Sequence, residues 1–151
     1  MIELKNINGG YGKKQVLFDI NTIMHENEIT SIIGPNGCGK STLLEISSGL
    51  MKPYEGVVVA DGVNIHEMNA KDRAKKISVL SQQKNPGALT VRALVYHGRF
   101  PYLGYPRKYR DEDRKIVDEA MRTAGIYDLA EESLSELSGG QQQKAYIAML
   151  L

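Results

Sequence analysis

The stretch Gly34-Pro35-Asn36-Gly37-Cys38-Gly39-Lys40-Ser41-Thr42 narrows the available folds more than any other feature of the sequence. Two glycines enclose four residues and are followed by Lys and Ser, the spacing of a phosphate-binding loop. Both flanks carry the context such a loop needs. The apolar-leaning residues 29–33 read as a buried strand, and Ser41-Thr-Leu-Leu-Glu-Ile46 reads as the start of an amphipathic helix. Gly34, Gly37 and Gly39 leave the backbone free to take positive φ and to turn its N–H groups inward around a phosphate, with Asn36 and Cys38 in the same cradle. Lys40 is placed to reach the β- and γ-phosphates, Ser41 to offer its hydroxyl to Mg²⁺, and the helix start through Thr42 adds its positive end. The alternative is a glycine-rich turn that binds nothing, which leaves both flanks unexplained.

At 151 residues, 42% hydrophobic and 25% charged, the sequence has the composition of one soluble globular domain with a real core. Nineteen Lys and Arg stand against 18 Asp and Glu, so a net charge of +1 offers no electrostatic case for a nucleic-acid binder. Cys38 is the single cysteine and has no internal disulfide partner, which fits a reducing, cytoplasmic setting. The N-terminus does not resemble a signal peptide, and no apolar run approaches the roughly 18 residues that span a bilayer. A membrane role is therefore expected to come through a partner.

In sequence order, residues 2–7 and 16–24 alternate apolar and polar and read as half-buried antiparallel strands. Between them Asn8-Gly9-Gly10-Tyr11-Gly12 reads as a flexible turn before Lys13-Lys14, with Tyr11 either a surface aromatic or a ring on which a base stacks. Asn27 suits a left-handed turn position, and Gly49 suits the end of the helix that follows the loop. Residues 55–65 are two short runs joined by Asp61-Gly62, a hairpin signal. A charged helix around 69–75 precedes a third run, Ile77-Ser-Val-Leu80, which ends in Ser81-Gln82-Gln83.

Beyond residue 84 the sequence becomes helix-rich. Thr90 is placed to cap a helix through Tyr96, and Asp111 to cap another whose apolar face is Ile116, Val117, Ala120, Met121 and Ala124 before Gly125. The loop at 100–110 interleaves aromatic and basic residues, which fits a protein partner surface better than single-stranded nucleic acid. Leu137-Ser138-Gly139-Gly140-Gln141 stands before a helical run from Gln142 to Leu151, and supplies a second anion site of free N–H groups at a helix start.

Taken together, these motifs resemble the ATP-binding subunits of ABC transporters over the whole sequence. Tyr11 matches the aromatic residue that stacks on adenine, residues 34–42 the Walker A loop, Gln82 the Q-loop glutamine, and residues 137–141 the ABC signature. The resemblance implies an α/β P-loop NTPase fold of ABC ATPase type, with an antiparallel β subdomain and a helical subdomain. It divides the sequence into a nucleotide-binding core and β subdomain (1–83), a helical subdomain (84–136), and the signature with the start of its helix (137–151). Gln82, directly after Leu80-Ser81, is preferred to Gln83 as the residue that touches Mg²⁺ or the attacking water. ATP would lie between the Walker A loop of one subunit and Ser138, Gly139, Gly140 and Gln141 of a second, head-to-tail subunit. Transmembrane permease subunits, and through them a substrate-binding protein, are the implied partners, placing the protein on the cytoplasmic face of the cell membrane. Residues 90–102 resemble the ATPases of importers for iron-siderophore, haem and cobalamin cargo.

The same resemblance implies a sequence that is incomplete at its C-terminus. A Walker B Asp with its following Glu, the D-loop and the switch His are expected after the signature helix, inside which the sequence stops at Leu151. Val57-Val-Val-Ala-Asp61 is the upstream candidate for Walker B, but Gly62 follows it and favours a hairpin; His25, His66 and His97 lie in no switch motif. An open sheet edge, uncovered apolar surface and negligible ATP hydrolysis by these residues alone are therefore expected. Two other classes remain, a soluble ABC-type ATPase of translation or repair and a P-loop kinase using Asp61, while a non-enzymatic nucleotide-binding fragment is the reading that fits these 151 residues most literally.

Overall fold

The computed structural model describes residues 1–80 and 88–151. They form two compact units, Met1–Ile77 and Ser78–Leu151. In the first, the two alternating stretches become β1 (Ile2–Tyr11) and β2 (Lys14–Met24), an antiparallel hairpin closed by the pair Tyr11 and Lys14. Strands β3 (Glu55–Ala60) and β4 (Val63–Asn64) extend the antiparallel sheet in the order β2-β1-β3-β4. Alternation along each strand, reset between Leu4 and Ile7 by a register shift at the left-handed Asn6, puts Leu4, Ile7, Leu17 and Val58 into one buried cluster, and α1 (Lys40–Ser47) covers it with Ile46, which is wholly buried. The Asp61-Gly62 turn has φ of 48° and 79°, the paired left-handed conformation of a two-residue hairpin. Asp61 accepts from Lys76 Nζ at 2.9 Å, so this carboxylate serves the turn and α2 (Ala70–Lys76). Asn27 is left-handed at φ 58° and Gly49 ends α1 at φ 76°, both as the sequence implies.

Three local expectations are corrected. Asn8-Gly9-Gly10-Tyr11 is strand, not turn, and its glycines answer to crowding. A Cβ on Gly9 would stand 2.4 Å from Ile46 Cδ1, and one on Gly10 would stand 2.1 Å from the Lys14 carbonyl oxygen. Residues 29–33 form no strand: Ile29 is 97% and Ile33 90% exposed. A strand needs a neighbour for its N–H and C=O groups, and the four strands of this unit pair only with one another, in the order β2-β1-β3-β4, leaving residues 29–33 without one. The uncovered apolar surface expected from the sequence is thus present without the strand. The run at 77–80 is likewise not a strand, because the Ile77 N–H closes α2 on the Arg73 carbonyl at 2.9 Å and its side chain packs on the sheet core.

The second unit packs α3 (Val91–His97), α4 (Asp111–Thr123) and α5 (Gly139–Leu150) around Val91, Leu94, Val117, Met121, Leu134 and Ala145. Thr90 caps α3 as expected, its hydroxyl accepting from the Ala93 N–H at 3.2 Å. Asp111, in contrast, is not the cap of α4. Arg110 occupies that position, and Asp113, at the third helical residue, reaches back to accept from the Arg110 N–H at 2.9 Å. In the loop before α4, Tyr109 packs on Tyr96 of α3 with centroids 4.4 Å apart and on Phe100 at 6.3 Å, the Arg99 guanidinium lies 4.2 Å from the Tyr102 ring centroid, and Tyr105 is fully exposed.

Asp113 is nearly fully buried and also accepts from Arg99 Nε at 2.9 Å. The Arg110 N–H foremost, and the Arg99 guanidinium with it, hold its carboxyl below the ordinary carboxylate range. The folded protein then binds this proton more weakly than the unfolded one. The resulting stability is complete above pH about 4 and is lost as pH falls from there through the lowered pKa. Asp113→Asn is expected to be about 1–3 kcal/mol less stable at pH 7 and to lack this acid step. Denaturant titrations at pH 7 and pH 3 check both outcomes.

Candidate nucleotide-binding site

The candidate phosphate loop is positioned by how α1 begins. Gly39 is the N-cap at φ 101°, ψ 6°, so no side chain caps the helix, and its first turn holds no acidic residue. The first helical bond is Leu43 N–H to the Gly39 carbonyl at 2.8 Å, so the N–H groups of Lys40, Ser41 and Thr42 precede the hydrogen-bond ladder of α1. Such an uncapped, acid-free helix start is suited to an anion. Only glycine fits at position 39, where a Cβ would stand 2.9 Å from both Val16 Cγ1 and Leu17 Cδ2 while φ is left-handed. The loop end is thereby seated directly on β2.

Within the loop, Asn36 and Cys38 are exposed, Gly37 has φ 82°, and Thr42 is buried at the root of the helix. Lys40 Nζ donates to the carbonyls of Gly34 at 2.9 Å and Pro35 at 2.7 Å, and lies 3.9 Å from Cys38 Sγ. The ammonium is folded over its own loop, held by groups that a phosphate oxygen outcompetes as a charged acceptor. The Ser41 hydroxyl is exposed one residue further on. Among the described residues no group of three His, Cys, Asp or Glu side chains is placed to hold a metal ion. A Mg²⁺ there would take Ser41 together with phosphate oxygens and water, the pattern usual for this hard cation. Gln82, and Gln83 beside it, lie outside the described residues.

Tyr11 stands at the end of β1 in the same unit. Its ring is about half exposed and its hydroxyl donates to Glu45 Oε2 at 2.9 Å. Glu45 is not legible as a site residue in the sequence, because one acid on a helix carries no motif. In the second unit, Ser138 is the N-cap of α5 and forms a capping box with Gln141: the Gln141 N–H donates to Ser138 Oγ at 3.4 Å and the Ser138 N–H to Gln141 Oε1 at 2.9 Å. Gln141 thus braces the turn, while Gly139 and Gly140 have open space where side chains would be. Gln142 Nε2 donates to the carbonyls of Leu134 at 2.9 Å and Leu137 at 3.1 Å, a support that the motif alone does not reveal.

Comparison with known proteins agrees with this geometry. A family model described as ABC transporter matches residues 17–151. The sequence is 43% identical over 143 residues to the iron(3+)-hydroxamate import ATP-binding protein FhuC of Bacillus subtilis, covering 94% of this protein and 53% of that one. It is 45% identical over 143 residues to the ferric enterobactin transport ATP-binding protein FepC of Escherichia coli, with the same coverage of 94% and 53%. It therefore spans about half the length of these curated relatives. Among solved structures, a dimeric bacterial ABC transporter cassette superposes with a TM-score of 0.82 at 35% identity, covering 100% of this protein and 69% of that one. With its glycine loop seated on a helix start, its capped Ser-Gly-Gly turn and a family match across most of its length, the protein belongs to the ATP-binding proteins of the ABC transporter family.

Proposed function

We propose that this is the nucleotide-binding part of an ABC importer ATPase that couples ATP binding and hydrolysis to uptake of an iron-siderophore-like complex. The observation that carries this proposal is the start of α1: an uncapped helix N-terminus behind a glycine loop, with the Lys40 ammonium folded onto that loop. The loop N–H groups from residues 34–42 cradle the phosphates, Lys40 swings from the Gly34 and Pro35 carbonyls to the β- and γ-oxygens, and Tyr11 takes the adenine. Ser41 would hold a Mg²⁺ that neutralises phosphate charge, and Gln82 would touch that ion or the attacking water. Positioning and charge stabilisation are the whole of this chemistry, without a covalent step.

In the assembled protein Ser138, Gly139, Gly140 and Gln141 act on the γ-phosphate of ATP held by a second, head-to-tail subunit. Permease subunits tie the pair to the cytoplasmic face of the membrane, and a substrate-binding protein feeds them. The relatives named for import of iron(3+)-hydroxamate and ferric enterobactin support the cargo class. The Asp61 hairpin and its bond to Lys76 weigh against the kinase alternative, which needs that carboxylate on Mg²⁺.

The purified 151-residue protein is expected to bind Mg-ATP at equilibrium and to show no steady turnover. Failure to bind ATP overturns the nucleotide site. Steady turnover that disappears in Lys40→Ala overturns the requirement for residues beyond these.

A further inference from the structure

We infer that Glu45 is a positioning residue for the nucleotide base, acting through Tyr11; the inference rests on the proposed stacking of adenine on that ring. Tyr11 closes the β1–β2 hairpin opposite Lys14, and its hydroxyl donates to Glu45 Oε2 at 2.9 Å across 34 residues of sequence. Glu45 follows Ser41 at i+4 on α1, so the two side chains rise from one face of the helix that opens at the phosphate loop. The base platform and the phosphate cradle are therefore joined by one hydrogen bond to one short helix.

Both ends of that link are themselves held. On the hairpin side, the Tyr54 hydroxyl donates to the Gly12 carbonyl at 2.8 Å and the Tyr54 N–H to the Asn8 carbonyl at 2.7 Å. On the helix side, the Glu45 carbonyl accepts from the Leu50 and Met51 N–H groups at 2.9 and 3.0 Å, which anchors the last turn of α1. Tyr11 remains 52% exposed, so its tip is tethered while ring surface stays open. A tethered ring has less freedom to lose when a base settles on it, and this preorganisation raises affinity for the base without any contact to phosphate.

The test measures equilibrium binding of Mg-ATP and of Mg-tripolyphosphate, which has no base, to the full 151-residue protein. Glu45→Ala is expected to weaken ATP binding about threefold to tenfold and to leave tripolyphosphate binding unchanged. Glu45→Gln, whose amide oxygen still accepts the phenol proton, should restore most of the loss. Tyr11→Phe should match Glu45→Ala, and the double variant should be no weaker than either single one. Equal losses for both ligands, additive losses in the double variant, or unchanged ATP affinity in Glu45→Ala would each overturn the tether. If Tyr11→Ala weakens ATP binding while Glu45→Ala does not, the tether alone fails. If neither substitution has an effect, base stacking on Tyr11 fails with it.

Discussion

Lys40→Ala is expected to weaken Mg-ATP binding by roughly 30- to 150-fold and to leave the fold intact. The ammonium is a point charge that a phosphate group accepts directly, and such charge-assisted bonds are worth about 2–3 kcal/mol in total here. Its present partners are the Gly34 and Pro35 carbonyls of its own exposed loop, which water satisfies when the ammonium is removed. Its further contact, Cys38 Sγ, lies in the same loop. Lys40→Arg should fall between the two, because a planar guanidinium keeps the charge and loses the compact reach of the ammonium. Calorimetric titration with Mg-ATP, paired with the denaturant midpoint of each variant, separates the effects. A midpoint that fell with the affinity would show that Lys40 holds the loop together instead of holding a phosphate.

Ile46→Ala carries the largest expected loss of stability, about 2–5 kcal/mol. Ile46 is wholly buried, and its Cδ1 fills the space that a Cβ on Gly9 would need. Truncation leaves a void facing a residue with no side chain to move into it, so relaxation recovers little. The core of this unit is small, with Leu4, Ile7, Leu17, Val58, Ala60 and Ile65 as the other buried apolar residues. Because Ile46 docks the same helix that presents Lys40 and Ser41, the apparent ATP affinity should fall with the folded fraction, and the folded fraction should recover as ATP is raised above its dissociation constant. Hydrogen exchange of the β1 and β2 amides, with and without ATP, reads both effects. Protection unchanged in the variant would mean that α1 is held on the sheet by something other than this contact.

Short-range features are the legible ones. The Asp61-Gly62 hairpin, the Asn27 turn and the Thr90 cap each depend on backbone geometry within a few residues, and each forms as its residues imply, whereas the last helix begins at Gly139 instead of Gln142 because Ser138 and Gln141 close a capping box. The start of α4 is harder to read, since Arg110, Asp111 and Asp113 crowd one turn and the capping bond falls to Asp113, which also meets Arg99. Glycine misleads where it answers to packing: Gly9 and Gly10 look like a turn in one dimension and are close approaches in three. Glu45 is invisible because its partner lies 34 residues away on another element.

Contiguous runs of residues are enough to specify the glycine loop before α1, the helix that follows it and membership of the ABC transporter family. For the loop and its helix the backbone preferences of neighbouring residues suffice, and for the family the order of the motifs does. Tertiary packing, in contrast, leaves residues 29–33 unpaired, seats the loop end on β2 through Gly39, and ties Tyr11 to α1. Those outcomes turn on whether a hydrogen-bonding edge or a packing partner arrives from a distant part of the sequence, and local composition holds no record of it.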